Sequence, residues 1–202
     1  LGRPRVHDEE TRATLRAVAE QLVAEGGAPA FSVRGVAERA GTSTRAVYSL
    51  FGSKEGLLVD ALAQDAYIFL ADGMDSMPET DDPAADLVEN GVSVYRRLVL
   101  EHPALYRIAF QRIVPDFRAG PELTEARERA LSRLLAKVQR VADAGQLGST
   151  SVRDGAVAFN AMCEGLANSE LRDTILRILP AGEEERAWRD SLTTLVRGFN
   201  VS

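Results

Sequence analysis

The sequence predicts an all-α fold: an N-terminal three-helix headpiece containing a helix-turn-helix, then a C-terminal helical bundle, about nine helices in total. Three observations predict it. Apolar residues recur at three- and four-residue spacing through most of the chain. No stretch keeps the period-two alternation of a half-buried strand. The stretch from Phe31 to Leu58, FSVRGVAERAGTSTRAVYSLFGSKEGLL, sets two short apolar-faced helices on either side of one glycine.

The first helix is expected from Asp8 to about Gly26, with Leu15, Val18 and Leu22 on its apolar face. Asp8, Glu9 and Glu10 suit the positive end of its dipole, and Gly26-Gly27 should stop it. Ser32 reads as the N-cap of the second helix, whose face is Val33, Val36, Ala37 and Ala40. Gly41 stands where a left-handed residue ends a helix. Ser43 or Thr44 can cap the third helix, with Val47, Leu50 and Phe51 facing inward. Two short helices joined this way form a helix-turn-helix, whose second helix enters a DNA major groove. Gly52-Ser53 opens a fourth helix that runs past Phe69 to about Asp75.

The proline-bounded loop MPETDDP follows, residues 77–83. The fifth helix spans Ala84 to Glu101 and ends at His102-Pro103, because a residue before proline leaves the α region. Further helices are expected from Ala104 to about Ile113, Glu122 to Ala144, Val152 to Leu179 and Glu183 to Val201. The division is a headpiece at 1–52 and a body at 53–202, with residues 53–76 as the connecting helix.

At these residues the chain resembles the tetracycline-repressor (TetR) family of bacterial transcription regulators. The resemblance is carried by the alanine-glycine turn, by Tyr48 and Phe51 closing the recognition helix, and by Lys54 ahead of an apolar helix. Thr42 and Arg45 depart from the family pattern, which favours an apolar turn residue at the first and a small residue at the second. Further on, YRRLVLEHPALYRIAF and FNAMCEGLANSEL resemble a subgroup whose C-terminal helix carries Trp, His and Gly. Gly165 matches, whereas Asn160 and Glu164 stand in the Trp and His places. The resemblance implies a ligand-responsive repressor that binds a near-palindromic operator in double-stranded DNA as a homodimer. The alternative is a helical small-molecule-binding or interaction protein whose headpiece has no DNA function.

Composition limits other classes. The chain has 202 residues, enough for one large or two small domains, and a formal charge of −6. Residues 1–54 carry eight cations against six anions, +2, so the remainder carries −8. An acidic body repels phosphate and leaves the basic head as the favourable docking face. No apolar run reaches the roughly 20 residues of a membrane span, and LGRPRVHDEE has no apolar signal segment, so a cytoplasmic location is expected. The single cysteine, Cys163, and the separated histidines His7 and His102 supply no metal-binding spacing. No catalytic motif, cofactor or metal site is expected.

The DNA-facing set is Ser32, Arg34, Ser43, Thr44, Arg45, Tyr48, Ser49 and Lys54. Arg45 can pair bidentately with guanine, while Lys54 and Ser32 at helix N-termini suit phosphate. The polar arm Gly2–Arg5 can enter the minor groove or be a disordered terminus. In the body, Tyr95, Tyr106, Phe110, Phe117, Phe159 and Met162 are core by default. A mainly apolar effector pocket would draw on Tyr95, Tyr106, Phe110, Phe159 and Met162, with Asn160 or Glu164 orienting the ligand. Asn160, Glu164 and Asn168 share one helix face, which lines that pocket, borders the dimer seam or meets solvent. The last two helices are the expected dimer seam, a four-helix bundle across a two-fold axis.

Overall fold

The structure, a computed structural model, describes residues 5–111, 119–172, 178–180 and 182–199. Among the described residues there are nine helical rods and no strand. They are α1 (Arg5–Ala30), α2 (Val33–Arg39), α3 (Thr44–Phe51), α4 (54–76), α5 (83–101), α6 (Pro103–Phe110), α7 (Pro121–Asp143), α8 (Val152–Arg172) and α9 (Glu184–Gly198). The fold class and helix order are those the periodicity predicts. None of these helices is long and apolar enough to cross a membrane. Residues 2–4 of the basic arm and Phe117 lie outside the described residues.

Several boundaries move for identifiable reasons. Helix α1 continues to Ala30, but Gly27 breaks its regularity at φ 71°, ψ 177°, within the glycine pair expected to stop it. The buried face of α1 centres on Leu15, Ala19 and Val23, with Val18 and Leu22 half-buried beside it. Ser53 caps α4, its hydroxyl accepting from Gly56 N–H at 2.8 Å. The rod then makes a π-helical stretch, Gly56–Ala61, before α-helix resumes at Leu62. A second π stretch, Gly91–Tyr95, interrupts α5. A Cβ on Gly91 would stand 2.3 Å from Leu192 Cδ1 and 3.2 Å from Phe159, so glycine permits α5 to approach α8 and α9 this closely.

The chain forms two compact units. The first comprises residues 1–68 and 102–127, the second residues 69–101 and 128–202. The chain therefore crosses between them three times, within α4, between α5 and α6, and within α7. Leu15, Phe31, Val36, Val47, Leu57, Leu62 and Tyr106 fill the first core. Leu87, Leu98, Val138, Phe159, Cys163, Trp188 and Leu192 fill the second. Trp188 is wholly buried, and its Nε1–H donates to Glu170 at 2.8 Å. Arg96 holds the same carboxylate at 2.8 Å, so one network joins α5, α8 and α9. Burying an indole needs such an acceptor.

The loop before α5 is fastened similarly. Asp86 is buried and receives hydrogen bonds from Arg140 (2.8 Å), Thr80 N–H (2.8 Å) and the Thr80 hydroxyl (2.7 Å). Burial pushes its pKa up, but these three donors outweigh burial and hold it below the usual carboxylate range. A carboxylate depressed in the folded state stabilises above its unfolded pKa of about 4, and that stability is lost as pH falls through the folded value. Asp86→Asn should therefore lower stability by about 2 kcal/mol near neutrality. Thermal melts should show the gap to wild type constant from pH 8 to 5 and closing in stronger acid.

Candidate nucleic-acid interface

The headpiece is assembled from local chemistry. Ser32 sits extended (φ −139°, ψ 141°), and its Oγ accepts from Gly35 N–H at 3.0 Å. Val33, Val36 and Ala37 bury one face of α2. Past Ala40, Gly41 takes φ 65°. Its N–H donates to Glu38 at 3.3 Å, and Thr42 N–H donates to Ala37 at 2.9 Å. This pair of bonds closes a helix around a left-handed residue. Because the Thr42 bond uses its backbone, the polar side chain leaves the turn closed.

Ser43 caps α3, accepting from Ala46 N–H at 3.2 Å. Val47 is fully buried, while Leu50 and Phe51 are half-buried. Gly52, at φ 72°, ends the helix with its N–H on the Tyr48 carbonyl at 2.9 Å. Two cation–π contacts brace the ends: the Arg12 guanidinium lies 5.1 Å from the Phe51 ring centre, and Lys54 Nζ lies 5.7 Å from that of buried Phe31. Arg39 grips Glu25 with two hydrogen bonds, 3.0 and 2.8 Å, tying α2 to α1. Glu25 is held below the usual carboxylate range chiefly by that hydrogen bonding. Arg12, Arg39 and Glu25 escape a sequence reading because their partners lie beyond any helical repeat.

All eight candidate DNA contacts, Ser32, Arg34, Ser43, Thr44, Arg45, Tyr48, Ser49 and Lys54, are exposed. The capping hydroxyls of Ser32 and Ser43 each accept one backbone N–H and keep their O–H free to donate. Arg34 pairs with Glu38 at 2.7 Å on an exposed surface. Arg45 has no hydrogen bond or ion pair among the described residues. It stands in the first turn of α3, a helix with no acidic residue there, so its charge opposes the helix dipole. An anionic or acceptor partner relieves that opposition.

The candidate effector residues divide between the units. Tyr106 and Phe110 belong to the first unit, where their rings stack at 5.2 Å. Tyr95, Phe159, Asn160, Met162 and Glu164 belong to the second. There Tyr95 lies 6.4 Å from the Trp188 ring and Phe159 is buried beside Gly91. Met162 is half-buried along a surface groove with Leu195, Gly198 and Phe199. Asn160 donates to Glu164 Oε1 at 2.7 Å, and Asn168 donates to the Glu164 carbonyl at 2.9 Å. The polar stripe thus satisfies part of its own hydrogen bonding. Cys163 is fully buried, and burial pushes its thiol pKa up, which suits a small core side chain.

The family described as "Bacterial regulatory proteins, tetR family" matches residues 15–61, the capped helices and the start of α4. "Tetracyclin repressor-like, C-terminal domain" matches residues 88–195, more than half of the chain. The HTH-type transcriptional regulator Rv1816 of Mycobacterium tuberculosis is 30% identical over 128 residues, 61% of this chain and 53% of its own length. The chain thus spans about half the length of the curated relatives it matches. Among solved structures, the TetR family regulator PfmR of Thermus thermophilus superposes with a TM-score of 0.65 at 24% identity, covering 91% of this chain and 97% of that one. FadR of Bacillus subtilis, solved with stearoyl-CoA, gives 0.72 at 15% identity, covering 94% and 99%.

The caps make a stability prediction separable from DNA binding. Ser43→Ala removes the side-chain acceptor of α3 and should cost about 1 kcal/mol. Ser43→Gly should cost only a few tenths of that unit. Chemical denaturation of the two variants beside wild type checks the order.

Proposed function

The chain belongs to the tetracycline-repressor family of bacterial regulatory proteins, and from that premise we propose a dimeric repressor that a small molecule releases from its operator. The observation that supports this most directly is α3. It is capped and aimed by its turn, buried through Val47, and exposed along Thr44, Arg45, Tyr48 and Ser49. In this reading Arg45 pairs with a guanine in the major groove and Tyr48 lays its ring on sugar with its hydroxyl on phosphate. Ser32, Arg34, Ser43 and Lys54 hold backbone phosphates. Residues 1–52, joined by Lys54 at the start of α4, do the DNA work, and the rest of residues 53–202 binds effector and partner subunit. Such a protein acts in the cytoplasm, where its DNA lies.

The dimer seam we assign to α8 and α9. Val157, Ala161 and Gly165 recur at four-residue spacing on the exposed side of α8, with Val157 64% exposed. A Cβ on Gly165 would meet nothing within 4 Å in the single chain. A row of small apolar side chains left open is suited to helix-on-helix contact with a second copy. The effector we place in the helical body of residues 53–202. The family fold accommodates such ligands, as FadR with stearoyl-CoA illustrates.

Three measurements test this. Operator binding followed by fluorescence anisotropy should weaken steeply as salt rises, because phosphate contacts release counterions. Within it, Arg45→Ala should relax preference at one base pair per half-site, costing about 1–3 kcal/mol there, while Lys54→Ala weakens all sequences alike. Equal losses of Arg45→Ala on operator and random DNA would remove the guanine assignment. Val157→Glu should convert a dimer to a monomer in sedimentation velocity and lower operator affinity at least tenfold; an unchanged dimer moves the seam elsewhere.

A further inference from the structure

A cavity of about 240 Å³ opens in the first unit between α1, the end of α3, the start of α4 and the first turn of α7. Its wall carries two charges of opposite sign that nothing in the chain matches. Arg12 is half-buried there, its guanidinium carbon 5.1 Å from the Phe51 ring centre, and makes no hydrogen bond or ion pair among the described residues. Glu122, exposed in the first turn of α7, lines the same cavity and likewise has no ion pair among the described residues. Arg16, also in the wall, is matched: it holds Asp65 at 3.1 Å and donates through Nη2 to Gln64 Oε1. That bond turns the Gln64 amide so that Nε2 is left as a donor without a partner, and this nitrogen is not closed off from solvent. With Asp65 set against Arg16, the site is neutral overall but holds a separated plus and minus.

We propose that this cavity binds a small zwitterion, a free amino acid whose carboxylate meets Arg12 and Gln64 and whose ammonium group meets Glu122. It is a second ligand site beyond the effector of the body, because Arg12, Arg16, Leu50 and Phe51 of its wall belong to the DNA-binding head. Stacking on Phe51 engages the face of the Arg12 guanidinium and leaves its in-plane N–H donors unused. Two of those donors point the same way and match the two oxygens of a carboxylate, and Gln64 Nε2 adds a third. A plain anion would bring a second negative charge beside Glu122, and a plain cation would face Arg12. Like charges set together reject the wrong partner, so a ligand carrying both signs fits best. The cavity is smaller than the roughly 300–1,000 Å³ that drug-sized ligands occupy, so its occupant is small. Leu50, Phe51 and Ala61 give it an apolar wall suited to a short aliphatic side chain. Phe51 is the last residue of α3, so the ligand would touch the brace that holds the recognition helix.

The test titrates the full chain by calorimetry with glycine, alanine, valine and leucine. Each is set beside its amide, which removes the anion, and its N-acetyl derivative, which removes the cation. At least one free amino acid should bind ten or more times tighter than both derivatives. Glu122→Gln should bring the N-acetyl acid level with the free amino acid while the amide stays weak. Arg12→Gln should do the reverse and bring the amide level; Arg12→Lys, which keeps the charge without the planar fork, should keep the wild-type order. A merely structural role would not exchange selectivity in this way. Should Arg12→Gln fail to fold for want of its stacking on Phe51, Glu122→Gln and Arg12→Lys decide the matter. N-acetyl acids binding wild type as tightly as free amino acids would show a plain anion site, and amides doing so a plain cation site; either overturns the proposal. No binding by any member of the panel, or variants with wild-type selectivity, would overturn it too. No DNA is present, so those failures leave the regulator reading untouched; a wild-type protein that binds no DNA overturns that reading instead.

Discussion

Gly41 sits at φ 65°, and the two hydrogen bonds folded around it decide where α2 ends and where α3 begins. A Cβ there would meet nothing within 4 Å, so the constraint is torsional rather than steric. An L-residue forced into this conformation pays roughly 1–2 kcal/mol, which glycine avoids. Every later feature of the head depends on that turn. It delivers Ser43 to the cap position, Val47 to the core and Arg45 to the surface. The stacked pairs Arg12–Phe51 and Lys54–Phe31 then hold the flanks.

Arginine does two kinds of work in this chain. In the second unit it neutralises carboxylates: Arg96 on Glu170, Arg140 on Asp86, Arg129 on Asp72 and Asp75, and Arg189 on Glu89. The Arg96 and Arg140 pairs match carboxylates that packing largely buries, whereas those of Arg129 and Arg189 lie at the surface. Arg45 and Arg127 stand outside that pattern, one at an exposed helix start and one against an aromatic stack.

The headpiece was legible because its determinants are local. Ser32, Gly41, Ser43 and Gly52 act within three or four residues of themselves, the range a single sequence exposes. The helix order of the body was legible for the same reason. The π stretches at Gly56–Ala61 and Gly91–Tyr95 were not, since one extra residue per turn barely alters an apolar period over so short a run. Nor could local spacing show that Tyr95 meets Trp188, that Phe159 closes over Gly91, or that Arg127 lies on Tyr67. Each joins residues far apart in sequence.

The central claim is that α3, delivered by the Gly41 turn, reads DNA sequence in two copies. Selection of bound duplexes from a random-sequence pool tests it most directly, because it assumes neither operator nor effector. The account predicts an enriched inverted repeat whose half-sites are spaced for two recognition helices on one face of the duplex, about one turn (~34 Å) or a multiple apart. A pool that enriches no sequence, or converges on a single unrepeated site, would contradict it.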